Sequence, residues 1–217
     1  AGGKYPLALV GATFDSGFVK NKVLEFVGDG VFGLSMEYRM GIDVMTTESA
    51  ALSSIWCTDE KTQRYLAEHG RAEAYRELKP AVGAYYDGLI EIDLSTVECM
   101  IALPFHPSNA MPIREFKANA KEILAQVEAE GRKIKGAKGE PFKVMHHLHE
   151  DGEVYVDQAL VSVCSGVLFE NVVAVADILK GHGIRADKLN LGVNPASLPV
   201  PLIGMRLPVA MIPLWQR

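Results

Sequence analysis

Strand-like runs alternate with helix-like segments along this chain, and this alternation constrains its fold more than any other feature. The runs at 22–28, 88–95 and 159–163 have the apolar or alternating patterns of strands. The segments 115–131 and 169–179 have apolar residues at helical spacing. Strands that alternate with helices of about three turns form mainly parallel sheets covered on both faces. The sequence therefore predicts an α/β fold, a mainly parallel sheet flanked by helices in three α/β/α layers.

Five further segments have patterns that also predict local structure. The predictions are a strand at 5–11, a turn in the glycine-rich stretch 28–33, a helix at 46–56, a helix at 58–70 and a hairpin at 144–158 that turns at Asp151-Gly152. A phosphate-binding loop is not expected at 28–33, because neither G-x-G-x-x-G nor G-K-[ST] is present.

Size and charge exclude some functional classes and suggest two domains. The 217 residues are 48% hydrophobic and have a net charge of −5, which does not support a nucleic-acid or membrane partner. The proline-punctuated stretch 103–112 is the preferred boundary. We expect one α/β domain over 1–110 and a second, truncated or altered at its C-terminus, over 111–217.

The cysteines and the apolar tail bear on the compartment. Cys57, Cys99 and Cys164 are an odd, widely spaced set, which argues for a reducing environment. No secretory signal is recognised, and four prolines and Arg206 in the last twenty residues argue against a membrane helix. We expect a cytoplasmic protein.

Two residues stand out as candidates for chemistry. Cys164 follows a predicted strand and precedes a predicted helix, where α/β sheets place ligands and helix amides stabilise a thiolate. Glu48 lies in a small-residue segment that could present an acid, a base or a water-orienting group. Simpler interpretations stay open: a packed thiol for Cys164, and a helix-dipole carboxylate for Glu48.

The remaining candidates are weaker. His146, His147 and His149 suggest a metal site, but no carboxylate or cysteine is fixed at a suitable spacing, and an exposed hairpin edge is favoured. Cys57 and Cys99 have no histidine partner at a recognisable spacing and are interpreted as packing residues.

Several segments in this order resemble a known family. They are "VLEFVGDGVFGLSMEYRMGIDVMTTESAALSSIWCTDEKTQRYLAEHGR", "YYDGLIEIDLSTVE", "VSVCSGVLFENVVAVADILKGHGI" and "NPASLPV". Together they resemble the aconitase and isopropylmalate dehydratase large-subunit family of iron–sulfur hydro-lyases, from about residue 19 to residue 200. The resemblance implies an aconitase-like iron–sulfur α/β fold that covers the second domain and part of the third.

The resemblance also implies a cofactor and site residues. The family holds a [4Fe–4S] cluster by three cysteines, which leaves one iron open to the hydroxyl and carboxylate of the substrate. Cys164 matches the first ligand cysteine, and Glu48 matches the active-site glutamate. This sequence departs from the family at Val44, where the family has asparagine, and at Ser165-Gly166, where it has Thr-Asn.

These matches lead to two functional expectations. The first is a fragment of a [4Fe–4S] hydro-lyase that acts on a small hydroxy-carboxylic acid, inactive alone because the other two ligand cysteines and the missing domains of the parent protein are needed. We also expect the fragment to self-associate through exposed apolar surface. The alternative is a cluster-free binding or regulatory module, which Val44 and Ser165-Gly166 favour.

Overall fold

The computed structural model describes residues 4–134, 141–162, 167–181 and 189–194. The helices are α1 (Lys4–Thr13), α2 (Asp29–Gly33), α3 (Met36–Met45), α4 (Glu60–Glu68), α5 (Ile113–Ala118), α6 (Ala120–Gly131) and α7 (Phe169–Leu179). The strands are β1 (Val23–Phe26), β2 (Ser53–Trp56), β3 (Met100–Ala102), β4 (Ala110–Pro112), β5 (Gln158–Val161) and β6 (Asn190–Val193). Within these ranges, no helix has the length and apolar character needed to cross a membrane.

The described strands pair as three two-stranded sheets. β1 pairs in parallel with β2, from Val23 opposite Ser53 to Phe26 opposite Trp56. β5 pairs in parallel with β6, and β3 pairs antiparallel with β4. In each parallel pair, the chain between the two strands contains helices. These are α2 and α3 in the first pair and α7 in the second. The predicted α/β class with parallel pairing is therefore confirmed.

The principal described core lies under α5 and α6. It contains the side chains of Leu103, Phe116, Ala120, Leu124 and Val127. All of these except Leu103 belong to the segment 115–131, where the sequence has apolar residues at helical spacing.

The single helix predicted at 115–131 is two helices. Asn119 lies between α5 and α6 with φ −126°. Its side-chain amide donates to the Glu115 carbonyl at 3.1 Å, which is the local competition that disfavours asparagine inside helices.

The strand predicted at 5–11 was wrong, because this run lies in α1. Pro6 falls in the first turn, where proline is tolerated, and Leu9 and Val10 are buried. α1 packs on β4 at Gly11, where a Cβ would be in ordinary contact with the Ala110 Cβ at 3.5 Å. A short continuous apolar run does not distinguish a buried helix from a strand by period alone.

The helix predicted at 46–56 was also wrong. Only Thr46–Ser49 is helical, as a 3₁₀ turn, and Ala50 then adopts a left-handed conformation with φ 60°. This residue turns the chain into β2, whose Ile55 and Trp56 pair with β1. The glycine-rich stretch predicted as a turn contains the short helix α2.

The helix predicted at 58–70 is confirmed as α4. The hairpin predicted at 144–158 is confirmed only at its turn, because Met145–His147 is a 3₁₀ turn and not a strand. Asp59 caps α4 by accepting from the Thr62 amide at 3.1 Å. The hairpin turns at Gly152, with φ +82°, and Leu148 bridges antiparallel to Val154. The division into domains at residue 110 stays a prediction.

Candidate active site

Glu48 lies on a 3₁₀ turn that continues directly from α3. The turn is held by buried hydroxyls: Thr46 donates to the Asp43 carbonyl, and Ser49 donates to the Thr46 carbonyl, each at 2.7 Å. Glu48 itself is half-buried, and its carboxylate has no hydrogen bond or ion pair with any described residue. A hydrogen-bonded turn therefore carries a carboxylate that has no partner among the described residues.

Two backbone hydrogen bonds fix this turn against the first parallel pair. Asn21 donates to the Ala50 carbonyl at 3.0 Å, and Leu52 donates to the Lys22 carbonyl at 2.9 Å. These contacts lie just before β1 and β2. Glu48 is therefore placed at the amino end of the pair, opposite the carboxyl end where open α/β sheets usually bind ligands.

A buried ion pair holds α3 in place. The Arg39 guanidinium donates to both carboxylate oxygens of Asp59, at 3.1 and 2.5 Å, and Arg39 is only 2% exposed. Burial raises the pKa of Asp59, but the hydrogen bonds from Arg39 and Thr62 and the Arg39 charge outweigh it, so the pKa is lowered. The pair ties α3, which precedes Glu48, to the start of α4.

Cys164 lies outside the described residues, but the elements on either side of it are described. β5 ends at Val161, Val167 is 1% exposed, and α7 begins at Phe169. The predicted order of strand, short connection and helix is confirmed. The role of the Cys164 thiol stays a prediction.

Each parallel strand pair, together with the helices between its strands, is called a parallel unit here. The first and second parallel units meet at the beginnings of α3 and α7. The Ser35 hydroxyl donates to the Glu170 carboxylate at 2.6 Å, and the Glu170 amide donates to the Glu37 carboxylate at 2.6 Å. Burial first, and then the Glu170 charge, raise the pKa of Tyr38 beside this contact. Helix N-termini favour nearby carboxylates, so each helix supplies a negative group to the other.

This junction lies at the end of α3 opposite Glu48. α3 has 10 residues, and at 1.5 Å per residue it is about 15 Å long. The hydrogen bonds described for α7 thus anchor it to the start of α3, while Glu48 follows the end of that helix.

The described cysteines and histidines do not fit a complete iron–sulfur site, which requires several thiolates. Cys57 is buried and Cys99 is exposed. His146 and His147 lie on a 3₁₀ turn and not on a strand, and His149 packs on Tyr155 at 4.2 Å. Throughout the described ranges, no three His, Cys, Asp or Glu side chains are placed to hold a metal ion.

Sequence reasoning missed the residues that position the candidate site. Arg39 and Asp59 are 20 positions apart, and Glu37 and Glu170 are 133 apart. The only local signal was the predicted start of the helix at 58–70, which lies beside Asp59. The partners of Arg39 and Glu170 depend on packing between elements, which one sequence does not reveal.

Comparison with known proteins gives this arrangement its context. Residues 7–202 match the family model described as the aconitase family (aconitate hydratase). The large subunit 1 of 3-isopropylmalate dehydratase from Thermotoga maritima is 30% identical over 179 residues, which are 82% of this chain and 35% of that protein. Large subunit 2 from Rubrobacter xylanophilus is 29% identical over 198 residues, which are 91% of this chain and 38% of that protein.

The chain thus spans a little over a third of the length of these relatives. Glu48 and Cys164 both lie inside the matched region. With the family model matching from residue 7 to residue 202, the chain belongs to the aconitase family.

Proposed function

We propose that the natural protein containing this chain is an iron–sulfur-dependent hydro-lyase that acts on a small hydroxy-carboxylic acid. The observation that carries this proposal is the family match over residues 7–202. Relatives that match most of this chain are named as large subunits of 3-isopropylmalate dehydratase. Because these relatives are named large subunits, they also support a second subunit as partner. A cytoplasmic location is part of the same proposal.

Glu48 is proposed to move a proton at the substrate hydroxyl. A hydro-lyase adds or removes water across a carbon–carbon double bond, so the hydroxyl oxygen must gain or lose a proton. The Glu48 carboxylate suits this role because it is half-buried and lacks a partner in the described part of the chain. The hydroxyls of Thr46 and Ser49 hold the turn that carries it.

Cys164 is proposed as one thiolate ligand of a [4Fe–4S] cluster. Its position between β5 and α7 supports this role, because a thiolate is stabilised at the start of a helix. The described residues do not complete the ligand set. We therefore expect the chain alone to be inactive, and exposed apolar side chains such as Leu89 to favour its self-association.

A specific observation favours an alternative, a cluster-free member that serves as a binding or regulatory module. Val44 is half-buried in the last turn of α3, one helical turn before Glu48. Its isopropyl group cannot make the hydrogen bond that an amide would make there. In this alternative, Cys164 is a packed thiol and Glu48 has no catalytic role.

Anaerobic reconstitution of the natural protein with iron and sulfide separates the two proposals. The hydro-lyase proposal predicts bound iron and the visible absorption of a cluster. Both should be lost in Cys164→Ser. Both should be retained in the control Cys99→Ser, which changes an exposed cysteine. It also predicts turnover of an unsaturated acid such as aconitate, followed by its ultraviolet absorbance. A natural protein that takes up no iron and turns over no acid contradicts the proposal and supports the module.

A further inference from the structure

Residues 75–97, here called the strap, form a long segment without a helix or a strand before β3. Val82, Tyr85 and Leu89 in the strap are 108%, 88% and 81% exposed. The strand predicted at 88–95 was wrong, because these residues lie in the strap and form no strand, although Ile90 and Leu94 are half-buried as the alternation predicted. The strap does not pair with any strand in the described ranges. It is held by separate contacts instead.

The first contact anchors the strap beside the end of β2. The Thr58 hydroxyl donates to the Arg76 carbonyl at 2.9 Å and accepts from the Leu78 amide at 2.7 Å. The Thr58 amide also donates to the Leu78 carbonyl at 3.0 Å. This anchor fixes the beginning of the strap to the carboxyl end of the first parallel pair.

Contacts at the far end anchor the strap to α1 and α2. The Lys4 ammonium donates to the Val97 carbonyl at 2.7 Å. Leu94 packs so closely on Gly30 that a Cβ there would lie 3.2 Å from the Leu94 side chain. The two ends of the strap are thus attached to different elements of the same unit.

The middle of the strap has one polar contact with this unit. The Tyr86 hydroxyl donates to the Glu25 carboxylate in β1 at 2.6 Å. Gly88 lies against the Phe18 ring, where a Cβ would come within 2.6 Å. Between Leu78 and Tyr86, the described hydrogen bonds of the strap are local, such as Ala84 to Ala81.

A buried thiol lies next to these contacts. Cys57 directly precedes Thr58 and is 6% exposed. Burial first, and then the Glu25 charge, raise the pKa of the Cys57 thiol. Cys57 also contributes to the raised pKa of Tyr86, whose largest cause is the hydrogen bond to Glu25. The strand register gives the geometry of these three groups. Glu25 pairs with Ile55, and Cys57 lies two residues further on. The Cys57 amide donates to the Phe26 carbonyl. Alternate residues of a strand share a face, so the Cys57 side chain lies on the face where Tyr86 bonds to Glu25.

We propose that the strap is a cover over Cys57 that opens locally between its anchors, with the Tyr86–Glu25 hydrogen bond as its latch. Segments with few buried apolar contacts and exposed backbone open at lower free energy than the core of the same protein. The strap has both properties, while its ends stay fixed at Thr58 and Val97. This inference does not depend on the proposed hydro-lyase activity.

The rate at which iodoacetamide alkylates Cys57 in the 217-residue chain tests the latch, with each cysteine peptide followed by mass spectrometry. Tyr86→Phe removes only the latching hydroxyl, and we expect it to speed Cys57 alkylation roughly fivefold. Tyr85→Phe is the matched control, because Tyr85 is exposed and its hydroxyl has no partner in the described structure. Thr58→Val, which removes the two hydroxyl hydrogen bonds of the first anchor and leaves its backbone bond to Leu78, is expected to speed alkylation as well.

Two internal measurements distinguish local opening from general destabilisation. The exposed Cys99 should react at the same rate in all variants. Low urea concentrations should hardly change the Cys57 rate, because local opening exposes little surface. The proposal is overturned if Tyr86→Phe matches Tyr85→Phe, or if the Cys57 rate rises with urea along the full slope of global unfolding.

Discussion

The two parallel units of this chain are built alike but carry their candidate residues at different points in the order of strand, helix and strand. In the first unit, Glu48 follows the crossover helix α3 and lies just before the second strand. In the second unit, Cys164 follows the first strand and lies before the crossover helix α7. The units are joined where both helices begin, through Ser35, Glu37 and Glu170. The same order of elements therefore carries a candidate residue after the helix in one unit and before the helix in the other.

The units also differ in how they are held together. The first has a buried ion pair between Arg39 and Asp59, with the Arg39 and Asp59 side chains 3% and 18% exposed. The described part of the second unit has no such pair and is held by the parallel strands and by the packing of Val167, Val172 and Ala176. We expect polar substitutions to affect the first unit more than the second.

The largest expected effect is loss of the ion pair in the first unit. Asp59→Asn keeps a good helix cap for α4 but leaves the Arg39 charge buried without its carboxylate. We expect the free energy of unfolding to fall by about 3 kcal/mol, measured by denaturant titration. Glu77→Gln, in the exposed pair with Lys79, is the control and should change it by less than about 0.5 kcal/mol. Equal effects of the two substitutions would contradict a stabilising role for the buried pair of the first unit.

The second prediction concerns acid. The pKa of Asp59 is lowered in the folded protein from its ordinary 3.8, so its stabilisation is complete above that value and is lost as the pH falls through the folded pKa. We expect Asp59→Asn to flatten the fall of the free energy of unfolding below about pH 5. An unchanged pH profile would show that the Asp59 carboxylate has the same pKa in the folded and unfolded chains.

Glu128, in α6, offers an independent test of how a lowered carboxyl pKa makes the stability depend on pH. Glu128 accepts from the Val144 and Met145 amides at 3.0 and 3.1 Å. These hydrogen bonds lower the pKa of Glu128 from 4.5. Burial opposes them, and the nearby Arg132 lowers the pKa further. Glu128→Gln should therefore also reduce the acid sensitivity, measured by the same titrations. If the profile of Glu128→Gln overlays that of the unsubstituted chain, these amide contacts do not contribute to it.

The third prediction concerns the junction between the units. Ser35→Ala and Glu170→Gln each remove part of one shared contact, so their effects on the free energy of unfolding should not add. We expect a coupling energy of about 0.5–1 kcal/mol in a double-mutant cycle. Ser95→Ala combined with Glu170→Gln serves as the control cycle, because Ser95 bonds to Asp93 and not to Glu170. Additivity in the first cycle would mean that the two units fold without this contact.

The smallest expected effect on stability is at Glu48. Its carboxylate is half-buried and has no hydrogen bond in the described ranges, so Glu48→Gln should change the free energy of unfolding by less than about 0.5 kcal/mol. A loss as large as that of Asp59→Asn would identify Glu48 as a structural residue.

Elements with strong local signals could be predicted from the sequence. β1, β5 and α7 have clear periodicity or clear bounds, and the stripe from Phe116 to Val127 is buried as its spacing predicts. The predictions failed where local patterns fit two structures, as at 5–11, where an apolar run became α1. They also failed where one residue changes direction, as the left-handed Ala50 does after Ser49.

The candidate site was only partly accessible to sequence reasoning. Glu48 was found through a family resemblance, but its place on a 3₁₀ turn was not predicted. The contacts of Arg39 and Glu170 join elements far apart in the chain, so their partners depend on the assembled fold. The role of Cys164 is still a prediction.

The turnover rate of Glu48→Gln in the reconstituted natural protein tests the central proposal most directly. Glu60→Gln is the matched control, since Glu60 is exposed at the start of α4. If Glu48 moves the proton at the substrate hydroxyl, Glu48→Gln should lower kcat by about 100-fold or more with iron content unchanged, while Glu60→Gln has no effect. Equal turnover by the two variants would contradict a catalytic role for Glu48.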